Sequence, residues 1–100
     1  MYVYIWEYQV RPESVERFRE VYGPDGDWVA LFRRAASYLG TELLRDLDDP
    51  YRYVTVDRWE SRQAYERFRR SFSAQFEHLD AVCEKLTLRE VRLGHFIVAS

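Results

Sequence analysis

The stretch YVYIWEYQV, residues 2–10, decides the fold. Read with the two-residue period of a strand, it puts Tyr2, Tyr4, Trp6, Tyr8 and Val10 on one face and Val3, Ile5, Glu7 and Gln9 on the other. Both faces begin apolar. A strand with water on one side alternates apolar with polar, so this one belongs to a sheet covered on both sides.

Working outward, Pro12 can open a helix without losing a needed donor, and Val15, Phe18, Val21 and Tyr22 recur at helical spacing until Gly23. GPDGD (23–27) is turn chemistry with Asp27 as an expected N-cap, and Trp28, Leu31, Phe32 and Ala35 line one face of a second short helix. YLGTELLRDL (38–47) and YRYVTVDRWE (51–60), joined by DDP, read as an antiparallel hairpin. Ser61 is the expected N-cap of one long helix, in which Tyr65, Phe68, Phe72, Phe76, Leu79, Val82 and Leu86 form an apolar stripe. VRLGHFIVA (91–99) is the expected last strand, with Gly94 as a bulge or close-approach site. The order is βαββαβ, an α+β ferredoxin-like fold with a four-stranded antiparallel sheet, helices on one face, and one domain over residues 1–100.

Helices cover one face only, and the other remains partly apolar. Exposing it would create an aromatic patch larger than a soluble monomer usually carries, so a second copy of the chain is the expected cover. Parity does not say which set faces the helices, because one bulge exchanges them. The working assignment puts Val54, Val56, Phe96 and Val98 against the helices. Tyr53, Asp57, Trp59, Leu93, His95 and Ile97 then form a pocket-like second face.

Composition narrows the function. Aromatic residues make up 17% of the chain, enough to serve cores, interfaces or pockets for planar ligands alike. The net charge of −2 gives no general attraction for nucleic acid or anionic lipid. No apolar run reaches the roughly 18 residues of a membrane-spanning helix. With no leader-like N-terminus and a single cysteine, Cys83, the expected location is the cytoplasm. Two histidines and one cysteine, widely separated, make no zinc site, and no metal is expected.

The βαββαβ order together with YIWEYQV, GPDGDWVALFRRA, YLGTELLRD, RYVTVDRWES and the WES entry to the long helix (59–61) resembles the antibiotic biosynthesis monooxygenase family over nearly the whole chain. The resemblance implies protomers that pair their sheets into a dimeric α/β barrel, each with a cavity between sheet and helices. It implies oxidation of a planar aromatic or polyketide-like molecule with O2 and no bound cofactor, or, in other members, haem degradation. For the latter, the resemblance places a Trp position on Phe68 and a His position on His78, and the first strand has no Asn.

The candidate catalytic groups are His95, Asp57 and His78. His95 is a general base or a hydrogen-bonded sheet histidine, and His78 is a base or a solvated helix residue. Asp57, among aromatics, is raised by desolvation or paired with an arginine. Trp6, Phe32, Tyr53, Trp59 and Phe72 are candidates for stacking on a planar ligand or for core packing. Gln75 is expected to bond across a cavity or interface, and Arg62, Arg67, Arg69 and Arg70 to form a solvated helix face. A ligand-binding protein without turnover is the alternative. An RNA-binding module, which shares this topology, is disfavoured because Asp57 would face phosphate.

Overall fold

The computed structural model describes residues 1–99. Strands β1 (Tyr2–Val10), β2 (Tyr38–Arg45), β3 (Arg52–Trp59) and β4 (Thr87–Ile97) form one antiparallel sheet in the order β2-β3-β1-β4. Helices α1 (Val15–Tyr22), α2 (Asp27–Phe32), α3 (Arg62–Ser71) and α4 (Ser73–Cys83) fill the two crossovers, completing the α+β ferredoxin-like fold. Among the described residues no helix is long and apolar enough to cross a membrane.

Local chemistry explains the boundaries. A 3-10 turn at Pro12–Ser14 carries proline in its first position and leads into α1. The hairpin between β2 and β3 is closed by carboxylates: Asp48 and Asp49 donate their backbone N–H groups to Asp46 Oδ1 at 2.7 and 3.2 Å, and Tyr51 N–H donates to Asp49 Oδ1 at 2.9 Å. Ser61 caps α3 as its position suggests, accepting from Ala64 N–H at 3.0 Å. Gly26, not Asp27, is the N-cap of α2.

Two expected elements differ. The long helix is two, because Phe72 leaves helical geometry at φ −118° and ψ 28° between Ser71 and Ser73. The last strand begins at Thr87, since bulges at Leu88 and Leu93 break its alternation and hide its first half from a period-two reading. Gly94 follows the second bulge with φ +158°, as Gly40 follows one in β2 with φ +141°. These are backbone conformations that glycine adopts without steric cost.

The working assignment of the sheet faces is inverted. Tyr8 packs on Phe18 with ring centroids 5.3 Å apart, Phe18 on Tyr53 at 5.2 Å, and Trp59 on Phe68 at 4.9 Å. The inner face, toward the helices, therefore carries Tyr53, Asp57, Trp59 and His95 together with the even residues of β1. Val54, Val56 and Phe96 lie on the outer face with Val3 and Ile5. Ile97 shares the parity of His95 but is 75% exposed, Leu93 is the bulged residue itself, and Val98 lies beyond the strand. Burying large aromatics against helices drives the choice, since each removes more apolar area from water than a valine does.

The core is correspondingly aromatic. Trp59 is fully buried among Phe32, Tyr38, Tyr65 and Phe68, and its indole N–H has no partner among the described residues. The outer face carries ion pairs from Glu7 to Arg52 and Arg89 at 2.6 and 3.0 Å, and from Glu42 to Arg58 at 2.5 Å. Glu7 is held below the usual carboxylate range, chiefly by its hydrogen bond from Arg52.

Candidate functional site

Between the inner face and the helices lies a cavity of about 370 Å³. The sheet supplies Tyr4, Trp6 and Tyr8 from β1, Thr41 from β2, Thr55 and Asp57 from β3, and Glu90 from β4. The helices supply Tyr22, Trp28, Phe32, Tyr65, Arg69, Phe76 and Asp80. The volume and the aromatic walls with a few polar groups suit a small planar molecule.

Each polar group has an identifiable setting. Asp57 lies opposite Tyr4 on β1 and Thr41 on β2, and the Thr41 hydroxyl donates to its Oδ1 at 2.6 Å. Among the described residues no arginine pairs with it, so of the two alternatives desolvation prevails. Burial lifts the carboxyl to about 6, with the Thr41 hydrogen bond opposing. Tyr38 Oη lies 2.5 Å from Thr41 Oγ1, extending the chain of hydroxyls. At the opposite side of the sheet Glu90 is also raised, first by burial and then by Asp80, and Thr87 Oγ1 donates to it at 3.3 Å. The bulge at Leu93 turns Glu90 inward, because without it the parity of His95 would run to Val91.

Arg69 forms part of the cavity wall. Its guanidinium stacks on the Phe76 ring 3.6 Å from the centroid, so it leaves the solvated arginine face to which sequence assigned it. Arg62 stays on that face, paired with Glu66 at 2.9 Å. Burial raises the phenols of Tyr8, Tyr22 and Tyr65 above their ordinary range, which keeps them neutral hydrogen-bonding groups.

Of the residues singled out from sequence, the structure brings Trp6, Phe32 and Asp57 together on the cavity wall. Tyr53 and Trp59 are beneath it, 2% and 0% exposed, as packing residues. Phe72 packs on Phe68 at the helix break, with Arg34 stacked over it at 4.9 Å. His95 stands beside the cavity rather than in its wall: the Tyr2 hydroxyl lies 2.7 Å from its Nδ1, and Tyr4, a wall residue, is 5.9 Å away between ring centroids. His78 is exposed on α4 and Phe68 is buried, so the haem-associated positions do not share the site. Gln75 is exposed, so it does not bond across the cavity. Among the described residues no group of three or more His, Cys, Asp and Glu could hold a metal ion.

Thr41, Tyr65, Arg69 and Glu90 line the cavity but were not among the candidate site residues. Tyr65 and Arg69 are four apart on α3 and carried a readable signal. Thr41 and Glu90 needed strand register, which no local pattern supplies.

Comparison with known proteins agrees with this fold. SnoaB, a cofactor-independent oxygenase from Streptomyces nogalater, matches in a mutant structure with a TM-score of 0.78 at 20% identity, over 99% of this chain and 93% of that one. A Bordetella bronchiseptica protein provisionally named as an antibiotic biosynthesis monooxygenase matches with a TM-score of 0.74 at 24% identity, over 99% and 97%. PA3566 from Pseudomonas aeruginosa matches with a TM-score of 0.70 at 19% identity, over 99% and 94%. At these identities the likeness speaks for the fold. No curated protein matches by sequence. The family model for antibiotic biosynthesis monooxygenases matches residues 1–85, and the chain belongs to that family.

Proposed function

We propose that the protein is a cofactor-independent monooxygenase that oxidises a planar, polycyclic phenol or anthrone with O2 inside the cavity. One observation carries this reading: a carboxyl held at about 6, with a hydroxyl instead of a cation as partner, in the wall of an aromatic cavity. A base with a pKa near the working pH is suited to proton abstraction. Asp57 removes the proton from the carbon or phenol, and the resulting anion gives one electron to O2. The two radicals combine to a peroxide, Asp57 returns its proton, and loss of water leaves a quinone carbonyl. A CH2 group and O2 thus become C=O and H2O. Trp6, Phe32 and Phe76 supply faces for the ring system, and Arg69 supplies positive charge for the anion. SnoaB, described as a cofactor-independent oxygenase, supports the class of reaction.

We further propose that a second copy covers the outer face, where Phe96 is 51% and Leu44 46% exposed beside the buried edge of Val56. Sedimentation equilibrium checks this: a dimer persisting to low micromolar concentration is expected, and a monomer would remove the pairing.

The reaction is tested by oxygen uptake and quinone absorbance with a panel of anthrones and naphthols. The wild type should consume O2 with one panel member, and Asp57→Asn should lose about 10²-fold or more in kcat. Binding of panel members without oxygen uptake would leave a ligand-binding protein, and turnover unaffected by Asp57→Asn would remove Asp57 as the base.

A further inference from the structure

Thr41 is a wall shared by the cavity and two outer grooves, of which the one on the α2 side matters for Asp57. On its inner side is the cavity, and on its other side a groove of about 280 Å³ lined by Pro24, Val29, Arg33, Tyr38, Leu39 and Gly40 as well as Thr41. It stands on β2, an edge strand of the sheet, so no further strand separates it from the surface. The Asp57 carboxyl reaches it from inside at 2.6 Å and the Tyr38 hydroxyl at 2.5 Å, Tyr38 being part of the groove.

We propose that Thr41 and Tyr38 form a proton path joining Asp57 in the cavity to the outer groove, through which Asp57 exchanges its proton with solvent while a ligand fills the cavity. The path rests on geometry; its use in turnover rests on the reading of Asp57 as the base. A planar ligand packed among the aromatic walls would displace water from Asp57, and the two hydroxyls would then be its route for exchanging a proton with solvent.

The chemistry requires groups that both accept and donate, and a threonine and a tyrosine hydroxyl do so. With Asp57 ionised, Tyr38 O–H donates to Thr41 and Thr41 O–H donates to Asp57. When Asp57 holds a proton, its own O–H donates to Thr41 Oγ1, each hydroxyl hands one proton outward and rotates, and a proton leaves Tyr38 Oη for water. One proton enters and one leaves, and no electron moves. Tyr38 works as a neutral phenol, since burial raises it, the Thr41 hydrogen bond lowers it, the Asp57 charge raises it and Arg33 lowers it. The other ionisable groups that line the cavity near Asp57 are Tyr4 and Tyr8 from β1 and Tyr65 and Arg69 from α3, and among the described residues none is hydrogen-bonded to its carboxyl. The side chain of Thr41 is therefore the only hydroxyl in contact with the base among the described residues.

The test needs no substrate. A photoacid pH jump with time-resolved infrared detection follows protonation of Asp57 through its carboxylic C=O band, identified by its loss in Asp57→Asn. An anthrone that binds is added as the plug, or naphthalene where none binds. Each variant is measured at its own midpoint pH, so that a changed pKa does not pass for a changed rate. Thr41→Val and Tyr38→Phe should each slow protonation by about tenfold or more, while Thr41→Ser keeps the wild-type rate. Wild-type rates in Thr41→Val and Tyr38→Phe would overturn the path, and so would slowing in Thr41→Val alone. If Thr41→Val fails to fold, Tyr38→Phe, which keeps the ring, decides. Intact relaxation in a protein that oxidises no panel member would sink the monooxygenase reading and leave the path standing.

Discussion

Asp57→Asn should make the protein more stable at neutral pH while removing the proposed base. The carboxyl stands at about 6 against 3.8 for an ordinary aspartate, chiefly through burial. At about 1.4 kcal/mol per pH unit, that gap corresponds to about 3 kcal/mol. The sign follows from which state holds the proton. Below 3.8 the carboxyl is neutral in both folded and unfolded chains, and the charge costs nothing. Between 3.8 and about 6 the unfolded chain ionises freely while the folded one resists, so wild-type stability falls with rising pH, and above about 6 the loss is complete. Asparagine has no charge to desolvate, and its Oδ1 can still accept from Thr41. Urea unfolding of both proteins, at one protein concentration and at pH values from 3.5 to 8 chosen to bracket about 3.8 and 6, reads the difference directly. The gap in favour of Asp57→Asn should grow by up to about 3 kcal/mol across the window between 3.8 and about 6 and then stay level. Parallel stability curves for the two proteins would refute the desolvation of Asp57 and with it the argument for a tuned base.

A Cβ on Gly94 would stand 2.8 Å from Phe96 Cζ at φ +158°, whereas one on Gly40 would meet nothing within 4 Å at φ +141°. Gly94→Ala should therefore cost about 1–3 kcal/mol in urea unfolding and more than Gly40→Ala; equal costs would mean that the Phe96 contact is unimportant. Trp59→Ala, at a fully buried side chain, should cost about 3–5 kcal/mol by the same measurement, while Trp59→Phe should keep most ligand affinity in calorimetric titration, since the indole is not in the cavity wall. His78→Ala should change stability by less than about 0.5 kcal/mol and leave ligand affinity unchanged. His95→Ala should cost about 1 kcal/mol by leaving the Tyr2 hydroxyl without its partner, and an equal result for the two histidines would count against the Tyr2 bond.

Periodicity and turn chemistry carried the architecture. The strand at residues 2–10, the Ser61 cap, the hairpin joined by DDP, the glycine at the last-strand bulge and the family resemblance were all legible, because each depends on residues close together in the chain. The aromatic character of the cavity wall was legible too, and Trp6, Phe32 and Asp57 were among the residues named as candidates. The sheet face was misassigned because β3 is partly apolar on both sides, so local pattern cannot show which side the helices bury. The kink at Phe72 and the early start of β4 at Thr87 escaped for a related reason: neither proline nor glycine marks the first, and two bulges scramble the alternation that would mark the second.

The sequence by itself determined the element order, the α+β class and the presence of an aromatic, weakly charged interior, since spacing and composition act locally and additively. Only tertiary structure decided which set of strand residues faces the helices and the cavity that the family resemblance implies there. It alone gave Asp57 a threonine rather than an arginine as partner, and turned Arg69 and Glu90 into the wall. Those outcomes depend on strand register and on bulges, and a one-residue change in pairing exchanges every side chain between the two faces of the sheet.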